Sequence, residues 1–88
     1  MVFHPGHHEL HGVTVVVDLA DGSTLVGRFD REDERGAILM GLATWTPDSG
    51  KTRDEFLGRI RKFGLVPEVR HLIVPSAQIT SIQPLGHA

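Results

Sequence analysis

The sequence predicts a mainly β chain: a small, strongly bent five-stranded barrel with a short helix inserted between its third and fourth strands. Three observations carry this. Two β-branched runs, Val13–Leu19 and Ser23–Phe29, flank Asp21-Gly22, a dipeptide that favours a tight hairpin because a type I′ turn needs φ > 0 at both central residues. Glycines interrupt the apolar runs at Gly27 and Gly41, where a small barrel needs bends or bulges. Between residues 52 and 64 the apolar spacing changes from strand-like to helical.

Taken in order, residues 1–12 carry His4, His7, His8 and His11 among Pro5, Gly6 and Gly12, with little apolar periodicity. They read as a flexible arm with at most one helical turn around His7–His11. In the first strand Val13, Val15 and Val17 face one way and Thr14, Val16 and Asp18 the other, so apolar residues lie on both faces and both must be covered. In the second strand Leu25, Gly27 and Phe29 alternate with Thr24, Val26 and Arg28. Asp30-Arg-Glu-Asp-Glu-Arg-Gly36 reads as a charged, solvated loop. Ala37–Trp45 is the third strand, closed by the turn residues Thr46–Gly50.

Thr52 with Glu55 three positions on forms a capping box. Phe56, Leu57, Ile60 and Phe63 then make one apolar stripe, Glu55 and Arg59 an i, i+4 pair, and Gly64 a stop. Val69–Val74 is the fourth strand and Ile79–Gln83 the fifth, joined by a link, Pro75–Gln78, that suits a single 3₁₀ turn. Pro84 and Gly86 release the tail, so the barrel domain is expected over 13–84, with a tail at 85–88.

Eighty-eight residues suffice for one small core, and such cores often gain stability by pairing with copies of themselves. There is no cysteine for a disulfide or thiolate metal site. No apolar stretch approaches the roughly 20 residues of a membrane span, and the N-terminus lacks signal-peptide character. The expectation is a soluble, cytoplasmic protein. The net charge of -2 argues against a simple polyanion binder. The charge is unevenly placed, however: three basic against eight acidic residues in 1–50 give -5, and six against three in 51–88 give +3. An anion-binding surface is therefore expected in the second half.

Asp21-Gly22, Gly27, Asp33 and Ile38-Leu39-Met40, followed by His71-Leu-Ile-Val-Pro-Ser-Ala-Gln-Ile-Thr-Ser-Ile82, fall in the order of the two sequence blocks of the Sm/LSm family, of which Hfq is a branch. The chain resembles that family over most of residues 13–45 and 69–83. The resemblance implies an Sm-like, SH3-like barrel whose fourth strand pairs with the fifth strand of a neighbour to close a homo-oligomeric ring. Val69, His71, Ile73, Ile79 and Ile82 would line that contact. It also implies single-stranded RNA as a partner, but two residue positions depart from the family pattern. The base-reading Asn position falls on Ala37 and the Arg-Gly position on Pro75-Ser76, so base recognition in the family manner is not expected. Any RNA contact should be weak and should use Arg53, Arg59, Arg61, Lys62 and Arg70.

The alternative is a protein-interaction or scaffold module on the same barrel, docking a partner through Trp45, Phe56 and Ile60. The arm histidines include i, i+4 pairs, His4 with His8 and His7 with His11, but Pro5-Gly6 interrupts any helix there, so no metal site is expected. No cofactor is implied. Ser76 lacks a nucleophile elbow and His71 lacks a sequence-placed partner, so the chain is not expected to be an enzyme.

Overall fold

A computed structural model describes residues 10 to 87, and of residue 87 the backbone alone. Five strands, β1 Thr14–Leu19, β2 Thr24–Asp33, β3 Gly36–Trp45, β4 Val69–Val74 and β5 Ile79–Pro84, form one antiparallel sheet. One helix, α1 Arg53–Phe63, lies between β3 and β4. The strand order is β4-β3-β2-β1-β5. The sheet is open: β4 pairs with β3 alone and β5 with β1 alone. It is nonetheless curled. Four strand spacings in a flat sheet would separate β4 from β5 by ~19 Å, yet only Pro75 and the 3₁₀ turn Ser76–Gln78 join them. A 3₁₀ turn advances only ~2 Å per residue, so the two edges must approach each other.

The face alternation expected of the first two strands is present. Val15, Val17, Leu25 and Phe29 pack with Leu39, Leu42 and Val74 on the concave side, which forms the main core. Val16 and Val26 point the other way, where Leu57 and Ile60 of α1 cover them. A strand with valines on both faces is thus explained by cover on both sides. The sheet curls at bulges, one between Val26 and Arg28 and one between Phe29 and Arg31. Gly27 fills the first because a Cβ there would stand 2.7 Å from the Cβ of Leu42.

The helix begins as its capping box dictates. The Thr52 hydroxyl accepts from the Glu55 amide at 3.1 Å, and the Glu55 carboxylate accepts from the Thr52 amide at 2.8 Å. Gly64, at φ 92, ends it with its N–H on the Ile60 carbonyl.

Four local expectations are corrected. The β1–β2 connection is not a type I′ turn: only Gly22 has positive φ, and Ala20, Asp21 and Gly22 make a three-residue loop. The Asp21 carboxylate stabilises it by accepting from the Ser23 amide and hydroxyl at 2.9 and 2.5 Å. The charged stretch after Phe29 is not a loop, since β2 continues to Asp33 and only Glu34 and Arg35 turn. There the Asp33 carboxylate accepts from the Arg35 amide and guanidinium. Phe63 does not join the packed stripe and is 72% exposed, because Val16 and Val26, the floor beneath α1, lie under its middle turns. The chain is not released at Pro84, which pairs with Val15, and Leu85 packs back against the outer cluster.

Candidate functional site

The expected cationic surface is divided by the fold. Arg53, at the start of α1, grips Asp18 of β1 with its Nε and Nη2 at 3.0 and 2.9 Å. The same Asp18 carboxylate accepts from the buried Thr24 hydroxyl at 2.7 Å. This bidentate, half-buried arrangement ties the helix to the first hairpin, so Arg53 serves as a structural latch rather than a phosphate contact. The Arg61 guanidinium reaches the Leu85 carbonyl at 3.4 Å. Arg59 and Lys62 flank the exposed Phe63 ring at 5.9 and 5.4 Å from its centroid. Arg70 stands apart from all of these, on β4.

The residues expected at a subunit contact fall into two groups. On β4, Val69 is 39% exposed, His71 is exposed and Ile73 is half-buried; the neighbouring Leu72 is 38% exposed. On β5, Ile79 and Ile82 are half-buried against the inner core. β4 therefore has a partly apolar exposed edge, while β5 offers mainly its backbone.

The docking group is corrected at one position. Trp45 and Phe56 are half-buried, but Ile60 is 8% exposed within the cluster under α1, which leaves it core rather than surface. The Trp45 indole N–H donates to the Lys51 carbonyl at 2.8 Å, so it also braces the turn leading into α1.

Ala37 is fully buried between Glu32 and Val74 in the sheet. A groove of about 430 Å³ beside the 3₁₀ turn is lined by Glu32, Ser76, Ile79, Thr80, Ser81 and Ile82, with no basic side chain among them. His11 bonds through Nδ1 to the Asp30 carbonyl, while His4, His7 and His8 lie outside the described residues. Among the described residues no three His, Cys, Asp or Glu side chains converge as metal ligands.

A larger cleft, about 640 Å³, opens between the bend at Gly41 and the irregular segment entering β4. It is lined by Arg28, Met40, Gly41, Pro67, Glu68, Val69 and Arg70. Arg28 and Met40 are direct cross-strand partners, as are Met40 and His71, so β2, β3 and β4 each present a residue in one row. Glu68 lines the cleft too, its carboxylate accepting from the Thr44 amide at 3.2 Å. Sequence reasoning missed Arg28 because the charge count placed cations in the second half. The alternation that put Arg28 opposite the core face was the available signal.

Three carboxyls and one guanidinium, in two turns and a helix cap, are displaced from their ordinary values. Bonds from the Ser23 hydroxyl and amide hold the Asp21 carboxyl below its usual range. The Arg35 side chain and amide do the same for Asp33, and Asp33 in turn raises Arg35. The Thr52 amide and hydroxyl lower Glu55.

No family model matches the sequence, and no curated protein does. Among solved structures the chain is similar to one in the crystal structure of the NatC complex bound to CoA. The two are 17% identical with a TM-score of 0.60, over 94% of this chain and 87% of the other. At that identity the likeness concerns the fold.

Proposed function

We propose that the chain is a non-catalytic, cytoplasmic Sm-like module whose curled sheet acts as a small barrel and assembles head to tail into a homo-oligomeric ring. The observation that carries this reading is the pair of unfilled sheet edges. β4 and β5 are both terminal in the order β4-β3-β2-β1-β5, and both run antiparallel to their inner neighbours. A β5 strand from a second copy laid along β4 would satisfy both rows of unpaired backbone groups and cover Val69 and Leu72. Repeating one such heterologous contact by rotation closes a ring. The Sm/LSm resemblance supports the same arrangement. RNA contact, if retained, falls to Arg59, Lys62 and the exposed Phe63, since Ala37 offers no base-reading group and Glu32 sits by the 3₁₀ turn.

Light scattering and native mass spectrometry test the assembly. The expected result is a single species several protomers in mass, reduced to monomer by Val69→Lys with Leu72→Lys. A monomer at tens of micromolar in the wild-type chain would overturn the reading.

One observation favours a second reading, a docking module for a different protein. Phe63 and Val66 are 72% and 76% exposed, beside Arg59 and Lys62, after the end of the packed part of α1. Phe63→Asp with Val66→Asp should then abolish partner capture while leaving the oligomer mass unchanged.

A further inference from the structure

The cleft between the Gly41 bend and the irregular segment entering β4 holds two cations that the proposed strand pairing does not use. Two arginines from distant parts of the chain, Arg28 on β2 and Arg70 on β4, border it. Both are exposed, and among the described residues neither has a hydrogen-bond or ion-pair partner. The one carboxylate at its rim, Glu68, is held by the Thr44 amide instead. The floor is Met40, Pro67 and Val69. Gly41, at φ 59, keeps the wall low, with only Pro67 near where a side chain would begin.

Two guanidiniums free of internal ion pairs stand over an apolar floor, so neither is committed to holding the fold. Guanidinium forks match the geometry of phosphate oxygens. A thioether beside proline and valine suits the face of a flat, unsaturated ring. The volume of about 640 Å³ lies within the range of small-molecule sites.

We propose that this cleft binds a small phosphate monoester carrying a flat apolar body. The phosphate sits between Arg28 and Arg70, and the body lies on Met40 and Pro67. Every lining residue belongs to one protomer, but Val69 and Arg70 lie on β4, the edge a neighbour's β5 would take, so the proposal requires the cleft to stay open beside that strand.

The test is an amide NMR titration of the full chain with phenyl phosphate and, separately, adenosine 5′-monophosphate; inorganic phosphate and phenol are controls. Saturable shifts are expected at Gly41, Val69 and Arg70 with one or both monoesters, and clearly weaker binding with either control. Arg28→Gln and Arg70→Gln should each weaken binding about tenfold or more, the scale of a lost charge-assisted contact. Arg28→Lys should restore only part, because it returns the charge without the fork. Since both side chains are exposed, thermal midpoints should stay unchanged. The proposal is overturned by shifts that do not saturate at millimolar monoester, or by shifts indifferent to both glutamine variants. Inorganic phosphate binding as tightly as the monoesters would remove the apolar half. An oligoadenylate that occupies the cleft while no monoester does would assign it to a polymer instead.

Discussion

The three inner strands and the two outer ones are built to different ends. In β1, β2 and β3, Val15, Val16, Val17, Val26, Phe29, Leu39 and Leu42 are all 0% exposed, and both faces of the valine strand are covered. In β4 the first four residues are exposed, and Val74 alone is buried. The inner strands therefore hold most of the apolar burial that stabilises the fold. The outer ones are held by backbone pairing along one side only, with their apolar side chains left half available. An edge strand this open normally carries blunting charges or proline. β4 carries Arg70 and His71 but also Val69, Leu72 and Ile73, a mixture that suits occupation by a second strand better than permanent solvation.

Truncation is the most forceful way to break this comparison. Phe29→Ala should cost about 3–5 kcal/mol, the range for emptying a packed aromatic site, against total stabilities of ~5–15 kcal/mol for small domains. Leu72→Ala should cost less than ~1 kcal/mol in the monomer, because so much of its surface is already in water. Denaturant unfolding of the two variants reads the difference directly. Equal losses would show that β4 is core in solution.

Next in size is Gly36→Ala, at the point where the inner strands meet the outer ones. Gly36 has φ 138, and a Cβ there would stand 2.0 Å from the Val74 carbonyl oxygen. That conformation alone is worth about 1–3 kcal/mol of strain for a residue with a side chain, and the clash is with backbone, which cannot swing away. The variant should lose protection of the β3–β4 amides first, in hydrogen exchange, while β1–β2 stays protected. Uniform loss would mean that the two regions do not separate.

The same division explains what was legible in the sequence. The inner strands were readable because alternation at Val15, Val16 and Val17 is a local signal, and the bulge at Gly27 follows from one residue type in a strand interior. The capping box of Thr52 and Glu55 was equally local. The hairpin loop was misread because Asp21 caps the Ser23 amide rather than adopting positive φ, a choice made by side-chain bonding. The charged run from Asp30 to Asp33 was misread because charge says nothing about backbone pairing: the run pairs with Gly36–Ile38 across the two-residue Glu34-Arg35 turn, through main-chain bonds its side chains do not announce. Ile60 and Phe63 share one stripe, and only the width of the floor under α1 decides which is buried. Of the Arg28–Arg70 cleft only the separate residues were legible, Arg28 from its alternation and Arg70 from the charge count, since it is β3 that brings their two strands together.

A smaller effect sharpens the boundary between helix and sheet. Arg53→Gln removes the fork on Asp18, whose side chain and that of Arg53 are 27% and 33% exposed. Exposure at that level places the loss near the upper end of the surface range, about 1 kcal/mol. Asp18→Ala should cost somewhat more, because the buried Thr24 hydroxyl then also loses its acceptor. Thermal unfolding of the two variants checks the order. The reverse order would show that Thr24 finds another acceptor and that the latch is local to α1.

The smallest effect expected is acid sensitivity, and it should again distinguish the regions. Asp21 and Asp33 are held below the ordinary Asp value of 3.8 by Ser23 and by Arg35. Glu55 is held below the ordinary Glu value of 4.5 by Thr52. A carboxyl whose pKa is lower in the folded chain contributes stability above its unfolded value, and loses it as pH falls through the folded one. All three groups sit on the connections of the first part of the chain: the β1–β2 loop, the β2–β3 turn and the cap of α1. None lies in β4 or β5. Acidification from about pH 5 to about pH 2 should therefore loosen the amides of Ser23, Arg35 and Thr52 before those of the outer strands. Asp21→Asn should make the Ser23 amide indifferent to pH over that range, while Arg35 and Thr52 still respond. Proton exchange followed residue by residue measures this. Loss of the β4 and β5 amides ahead of the turn amides would mean that acid acts first on the edges, through assembly rather than through the turns.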